Sequence, residues 1–235
     1  MITPRHAADR GSANLGWLAS KHTFSFGSFR DPNYMGFGNL RVINEDRVEA
    51  GQGFATHAHN DMEIISYIIT GALEHKDSMG NGSVMASGDI QRMTAGTGVT
   101  HSEFNHSNDE QVYFLQIWIE PQQESLEPGY EQKNFTREDK TDQLRLVASQ
   151  SGRDGSLTIH QDADMYCTVM SPGSALSHTF SAGRSGWLQV IRGSVALNKL
   201  SLKPGDGAAI EDTSDVRLTT DEETELLLFD LAGKQ

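Results

Sequence analysis

The stretch Gly51-Gln-Gly-Phe-Ala-Thr-His57-Ala-His59-Asn-Asp-Met-Glu63-Ile-Ile-Ser-Tyr-Ile-Ile69 sets a glycine and a His-x-His pair before a polar turn and a short isoleucine-rich run. A run of six residues, rich in β-branched side chains and bounded by turn formers, reads as a strand. Similar runs recur at Leu40 to Ile43, Val112 to Ile119, Leu144 to Ala148, Trp187 to Ile191 and Leu226 to Leu231. Each is bounded by Gly, Pro, Asn, Asp or Ser, and few sustain a 3.6-residue period. The chain is therefore expected to be all-β, a sandwich or barrel with little helix.

Working outward, Pro121 to Tyr130 and the polar run Glu131 to Gln143 are rich in charge and breakers and poor in core residues. They are the best candidate for a link, dividing the chain into 1–130 and 131–235. The halves share an order of signals. In the first, an apolar strand ends at Gly71, Ser87-Gly88-Asp89 opens another, and Val112 to Ile119 closes the half. In the second, Trp187 to Ile191 ends at Gly193, Pro204-Gly205-Asp206 repeats the turn, and Glu225 to Leu231 closes it. Two copies of one barrel fit this order; chance recurrence of turn chemistry is the alternative.

Composition narrows the class. Asp+Glu number 32 against Lys+Arg 19, a formal charge of −13 that supplies no basic stripe for phosphates, so direct binding to nucleic acid or an anionic membrane is not expected. The one cysteine, Cys167, sits in an alternating apolar run, which excludes an intrachain disulfide and predicts a buried thiol. The first residues lack an apolar signal core, and no stretch approaches the ~18 consecutive apolar residues of a membrane span. The cytoplasm is the expected compartment.

The chemistry gathers in two pairs. On an extended segment His57 and His59 point to one face, about 6 to 7 Å apart along the backbone. His101 and Glu103 repeat that spacing in Thr94-Ala-Gly-Thr-Gly-Val-Thr-His-Ser-Glu103. Two strands facing each other across a barrel would converge all four side chains on one point. Three nitrogens and a carboxylate suit one divalent transition metal ion, Fe, Ni, Co, Mn, Cu or Zn, with the later metals favoured in vitro. Histidines stacked or hydrogen-bonded on an ordinary strand face are the plainer reading of either pair alone.

These residues resemble the cupins, and among them the pirin-like bicupins. Gly51, His57, His59 and Glu63 match the first cupin motif, with the next glycine one residue late at Gly71. Gly88, Gly96, His101 and Asn105 match the second in outline, with Thr94 in place of proline and His101 two residues late. The longer pirin-like form, Ala-Gly-x-Gly-x-x-His-Ser-Glu, is unbroken from Ala95 to Glu103. Further pirin-like blocks are His22 to Phe26, Asp31-Pro32, Met35 to Phe37, Leu40 to Asn44 and Glu74 to Asn81, with sparser ones at Tyr130 to Gln132, Arg153 to Ser156 and His160 to Asp162.

The resemblance implies two cupin-type jelly-roll barrels in tandem and one metal held by His57, His59, His101 and Glu103 in the first. Glu63 falls outside that ligand set. The second barrel is expected to lack the metal motif, with His160 and His178 structural. His22 and His75 are candidates to line the pocket or orient a ligand, and His6 and His106 to face solvent. The implied activity is that of a quercetin 2,3-dioxygenase: O2 opens the heterocycle of a flavonol, carbon monoxide leaves, and Glu103 serves as the general base. Phe24, Phe26, Phe37, Phe54, Met93 and Phe104 are candidate pocket walls. The alternative is a non-catalytic, redox-sensitive metalloprotein that regulates protein partners. A chain with two barrels carries within a monomer the pairing that single cupins reach by dimerising.

Overall fold

The structure is a computed structural model that describes residues 1–233. Strands hold about 56% of the residues and helix about 4%, so the all-β reading is correct. The chain forms two compact units that a single cut does not separate. One comprises Gly11–Asn134 with Leu157–Gln161, the other Met1–Arg10, Phe135–Ser156 and Asp162–Gln235.

The first unit has two antiparallel sheets. The larger runs, edge to edge, through Gly129–Asn134, Asp89–Thr94, Glu63–Thr70, Val112–Ile119, Leu40–Val48, Leu18–His22 and Gly11–Asn14. The smaller runs through Gly53–His59, Val99–Asn105, Ala72–Asp77 and Gly82–Ala86. The apolar runs of the sequence form the centre of the larger sheet, where β-branched side chains pack well on a pleated surface.

The facing interior is layered. At one end Ile68, Val112 and Phe114 of the larger sheet pack with Leu73 and Met85 of the smaller. At the other, Ile64 and Met93 pack with Ala95 and Val99. Between these apolar layers lies a polar one. Strand register aligns His22, Asn44, Gln116, Ser66, Gln91 and Gln132 in one row across six strands of the larger sheet.

The second unit repeats the strand order. Its larger sheet runs through Ile2–Arg5, Gly207–Ile210, Ser185–Arg192, Thr224–Leu231, Ala163–Met170 and Arg145–Ser149. Its smaller sheet runs through Ala175–Thr179, Asp215–Thr219, Val195–Leu197 and Leu200–Leu202. The start of the chain thus supplies the edge strand that Gly129–Asn134 supplies in the first unit. The row in the matching position reads Tyr166, Leu228, Leu188, Ala208 and Pro4. Leu188, Ala208 and Leu228 belong to a wholly apolar core with Val190, Ile210 and Leu226. Cys167 is buried in this unit and forms no disulfide, as its apolar surroundings predicted.

Candidate metal centre

His57 and His59 lie on Gly53–His59, and His101 and Glu103 on Val99–Asn105. These strands are not opposed across the barrel, as the sequence led us to expect; they are hydrogen-bonded neighbours in one sheet. Val99 pairs with His59 and His101 with His57 before the register shifts and Glu103 pairs with Phe54. Adjacency explains the convergence, since cross-strand neighbours on one face hold their Cβ atoms about 4.5–5.5 Å apart, whereas facing sheets lie about 10 Å apart. The bulge needs Gly53: a Cβ there would run into the Glu103 carbonyl and the Phe104 backbone.

One nitrogen from each of His57, His59 and His101 falls within 4.8 Å of the others. His57 Nδ1 donates to the Ala55 carbonyl at 2.8 Å, leaving Nε2 with its lone pair. His101 is 1% exposed, and its buried Nε2 has no hydrogen-bond partner. Burial, then the neighbouring histidines His101 and His57, lowers His59 to about 4, against the opposing charge of Glu103. Burial with His57 and His75 lowers His101 to about 3, opposed by Asp77. Both rings are neutral at physiological pH, the form that binds metal. The three-imidazole set and the unsatisfied Nε2 fit a divalent ion of borderline softness.

Glu103 is placed one pair further along. It falls in a second group, with His75 and His101, whose ligand atoms also lie within 4.8 Å of one another. The polar row reaches it from the larger sheet: Ser66 Oγ donates to Oε1 at 3.1 Å and Gln116 Nε2 to Oε2 at 2.8 Å. Both groups among the described residues that could hold a metal ion lie in the first unit. In the second unit the strands in matching positions present Leu176 and His178, then Val216 and Leu218. His178 Nε2 binds Asp230 Oδ2 at 2.8 Å, and Arg184 caps the same carboxylate.

The histidine face opens on a cavity of about 710 Å³, within the usual range of about 300–1,000 Å³ for small-molecule sites. Trp17, Phe26, Phe54 and Trp118 wall it, with His57 and His59 at the metal side and Asn44, Asp46 and Gln116 among its polar lining. Trp17 meets Phe54 edge-on at 5.2 Å between ring centroids, and Trp118 meets His59 at 5.1 Å. Of the aromatic and sulfur candidates, Phe26 and Phe54 line this cavity. Phe24 and Met93 are core residues, and Phe104 is 38% exposed, because it alternates with the inward Glu103. Phe37 pairs with Leu40 in an isolated bridge outside the cavity lining.

The sequence reading passed over Trp17, Trp118, Asp46 and the polar row. Its available signal was a lone polar residue inside each apolar run: Ser66 in Ile64 to Ile69 and Gln116 in Val112 to Ile119. Asp46 is buried, and burial pushes its carboxyl up to about 7, with Ser20 opposing by a hydrogen bond and Glu103 and Glu45 adding to the rise.

The other histidines divide by burial. His22 lines the cavity. His75 is fully buried behind His101. The side chains of His6 and His106 are 56% and 54% exposed. Glu63, 0% exposed, accepts from Thr94 at 3.0 Å and meets His160 Nδ1 at 3.1 Å, an ion-pair cluster apart from the metal-ligating groups. No helix among the described residues is long and apolar enough to cross a membrane.

Two barrels of one strand order, with His/His and His/Glu pairs, the candidate ligands, on neighbouring strands of the first, define a bicupin. Comparison with known proteins places it further. A family model described as Pirin matches residues 5–119, and one described as Quercetinase C-terminal cupin domain matches residues 146–231. The quercetin 2,3-dioxygenase of Escherichia coli strain K12 is 47% identical over 231 residues, which cover 98% of this chain and 99% of that one. A pirin-like protein of Caulobacter vibrioides is 39% identical over 223 residues, 94% of this chain and 96% of that one. The crystal structure of the bacterial pirin YhhW from Escherichia coli in complex with nickel(II) matches with a TM-score of 0.95 at 45% identity, covering 99% of this chain and 100% of that one. The chain belongs to the pirin family.

Proposed function

We propose that the first barrel is a metal-dependent dioxygenase centre that opens the heterocycle of a flavonol with O2 and releases carbon monoxide, and that His57, His59, His101 and Glu103 are its metal ligands. One observation carries this reading: His57 and His59 line an aromatic-walled cavity, and the buried, unpartnered Nε2 of His101 stands beside them in a group whose ligand nitrogens lie within 4.8 Å of one another. The names and the nickel complex of the close relatives support it.

Once bound, a divalent ion supplies Lewis-acid and redox chemistry at the wall of the cavity. The chain's own residues do the rest. Trp17, Phe26, Phe54 and Trp118 offer flat apolar surface to a planar substrate and exclude water from the reacting face. Ser66 and Gln116 hold both Glu103 oxygens, fixing the carboxylate where it can take the proton of the substrate's 3-hydroxyl. Burial behind Val99–Asn105 keeps that carboxylate from solvent, since Glu103 is 1% exposed.

The test is reconstitution of the metal-free protein with Fe, Ni, Co, Mn or Cu in turn, followed by quercetin absorbance under air with carbon monoxide assayed. Turnover with at least one metal, with equimolar carbon monoxide, is expected; no turnover with any of them removes the flavonol reading.

A further inference from the structure

His101 belongs to both metal-ligating groups, so the side chains behind it decide which group takes an ion. Behind it stands a buried chain of hydrogen bonds. Asp77 and His75 are both 0% exposed at the side chain, with Asp77 Oδ2 3.1 Å from His75 Nε2. His75 Nδ1 lies 3.5 Å from His101 Nδ1 and 3.4 Å from Gln91 Nε2.

The proton placement follows from the far end. Asp77 Oδ1 accepts from the backbone N–H groups of Met79 and Asn81, both at 2.9 Å, and Oδ2 accepts from Asn81 Nδ2 at 2.8 Å. Burial alone would raise this carboxyl, but the hydrogen bonds from Asn81 and His75 outweigh it and hold it below the usual carboxylate range. A carboxylate only accepts, so the proton between the two sits on His75 Nε2. His75 Nδ1 is then a lone pair, flanked by the Gln91 amide and by His101 Nδ1; a second lone pair on His101 Nδ1 would face it repulsively at 3.5 Å, so His101 carries its proton there. That leaves the lone pair of His101 on Nε2, the buried atom without a protein partner. A proton there would instead be a buried donor with nothing in the protein to receive it.

We propose that the buried Asp77–His75 pair sets the tautomer of His101, and thereby offers Nε2 to an ion shared with His57 and His59 while excluding one in the group of His75, His101 and Glu103. The inference rests on the ligand set proposed above. Both nitrogens of His75 are committed, Nε2 to Asp77 and Nδ1 to His101 and Gln91, so His75 is a positioning residue. The row geometry supports it: His57, His101 and Asp77 are successive cross-strand partners, as are Glu103, His75 and Ser83. His75 is further held by Tyr130, 5.0 Å away between ring centroids, whose hydroxyl is fixed by Ser83 and Gln132. The 3.5 Å contact between the imidazoles is long for a hydrogen bond. A cation held by Nε2 would polarise the Nδ1–H and strengthen its donation to His75.

The full-length protein, labelled with 15N-histidine, tests this through ring-nitrogen chemical shifts and Ni(II) competition titration. In the metal-free protein His75 should carry its proton on Nε2 and His101 on Nδ1. Asp77→Asn keeps the size of the side chain and its backbone acceptor but can donate to His75 Nε2, which moves the His75 proton to Nδ1 and the His101 proton to Nε2. Ni(II) affinity should then fall about 10–100-fold, with circular dichroism unchanged. Finding the His101 proton on Nε2 in the wild-type protein overturns the proposal, whatever becomes of the variant. So does Asp77→Asn binding Ni(II) within twofold of wild type with both tautomers unmoved. His57→Ala and His101→Ala separate the two failures. If they lose Ni(II) while Asp77→Asn does not, the positioning role alone is wrong; if they keep it, the ligand set fails and the positioning role with it.

Discussion

The two barrels share a strand order and differ in one layer of their interiors. In the first, the mid-barrel row of the larger sheet reads Asn44, Gln116, Ser66 and Gln91; in the second, the same strand positions hold Tyr166, Leu228, Leu188 and Ala208. The smaller sheets differ in step, His101 and Glu103 against Val216 and Leu218. A polar layer inside a barrel is costly unless every group finds a partner. In the first barrel several do not: Asn44 Oδ1, Asp46 Oδ1, Gln91 Oε1 and His101 Nε2 are buried and unpartnered. The contrast teaches that a largely apolar filling, with Tyr166 the polar member of its row, builds the same strand order, so the polar layer of the first barrel is not a requirement of the fold.

The largest effect expected from breaking this contrast is loss of the ion itself. His101→Ala should abolish stoichiometric metal binding, measured by elemental analysis after purification, whereas His178→Ala in the second barrel should leave metal content unchanged. Equal metal content in the two variants would erase the distinction between the barrels. Glu103→Ala is expected to lower quercetin turnover by at least about 10²-fold, the usual scale for a general base.

Exchanging the rows sharpens the comparison. Leu228→Gln puts an amide where the second barrel has no partner for it and should destabilise by more than about 2 kcal/mol in urea unfolding. The reverse change, Gln116→Leu, should affect folding less but reduce turnover, because Glu103 Oε2 loses its 2.8 Å donor. Equal destabilisation by both would mean that the polar layer is ordinary core.

A smaller effect depends on pH. Asp46 is raised to about 7 in the folded protein from an ordinary 3.8. The folded state therefore binds the extra proton, and stability is lost as pH rises from about 4 through 7. Asp46→Asn should remove that loss, stabilising the metal-free protein at pH 8 by on the order of 4 kcal/mol relative to its effect at pH 4. A pH-independent difference between variant and wild type would show that Asp46 ionises freely in the fold. Least of all, Phe104→Ser should change neither turnover nor stability by more than about 0.5 kcal/mol, because this side chain points out of the barrel.

Much of the fold was legible. Val112–Ile119 is the same in sequence and structure, and Ile64 to Ile69 needed only Glu63 and Thr70 added. Periodicity and turn formers are local, so they survive without tertiary context. The exchange of edge strands was not legible: Ile2–Arg5 pairs with Gly207–Ile210 over about two hundred residues of chain, and no local pattern records such pairing. Phe104 was misplaced for a related reason. Hydrophobicity suggested a pocket wall, but strand alternation, once Glu103 is known to point inward, turns Phe104 outward.

By itself the sequence determined the strands, the two-barrel repeat, the His and Glu pairs and their confinement to the first half, because these depend on residue type and short spacing. Only the tertiary structure decided that the paired strands are neighbours rather than opposites, and that a polar row from the other sheet holds Glu103. It alone set Asp77 and His75 behind His101. Register and sheet packing join residues far apart in sequence, and a proton's position on an imidazole depends on whichever distant group meets its other nitrogen.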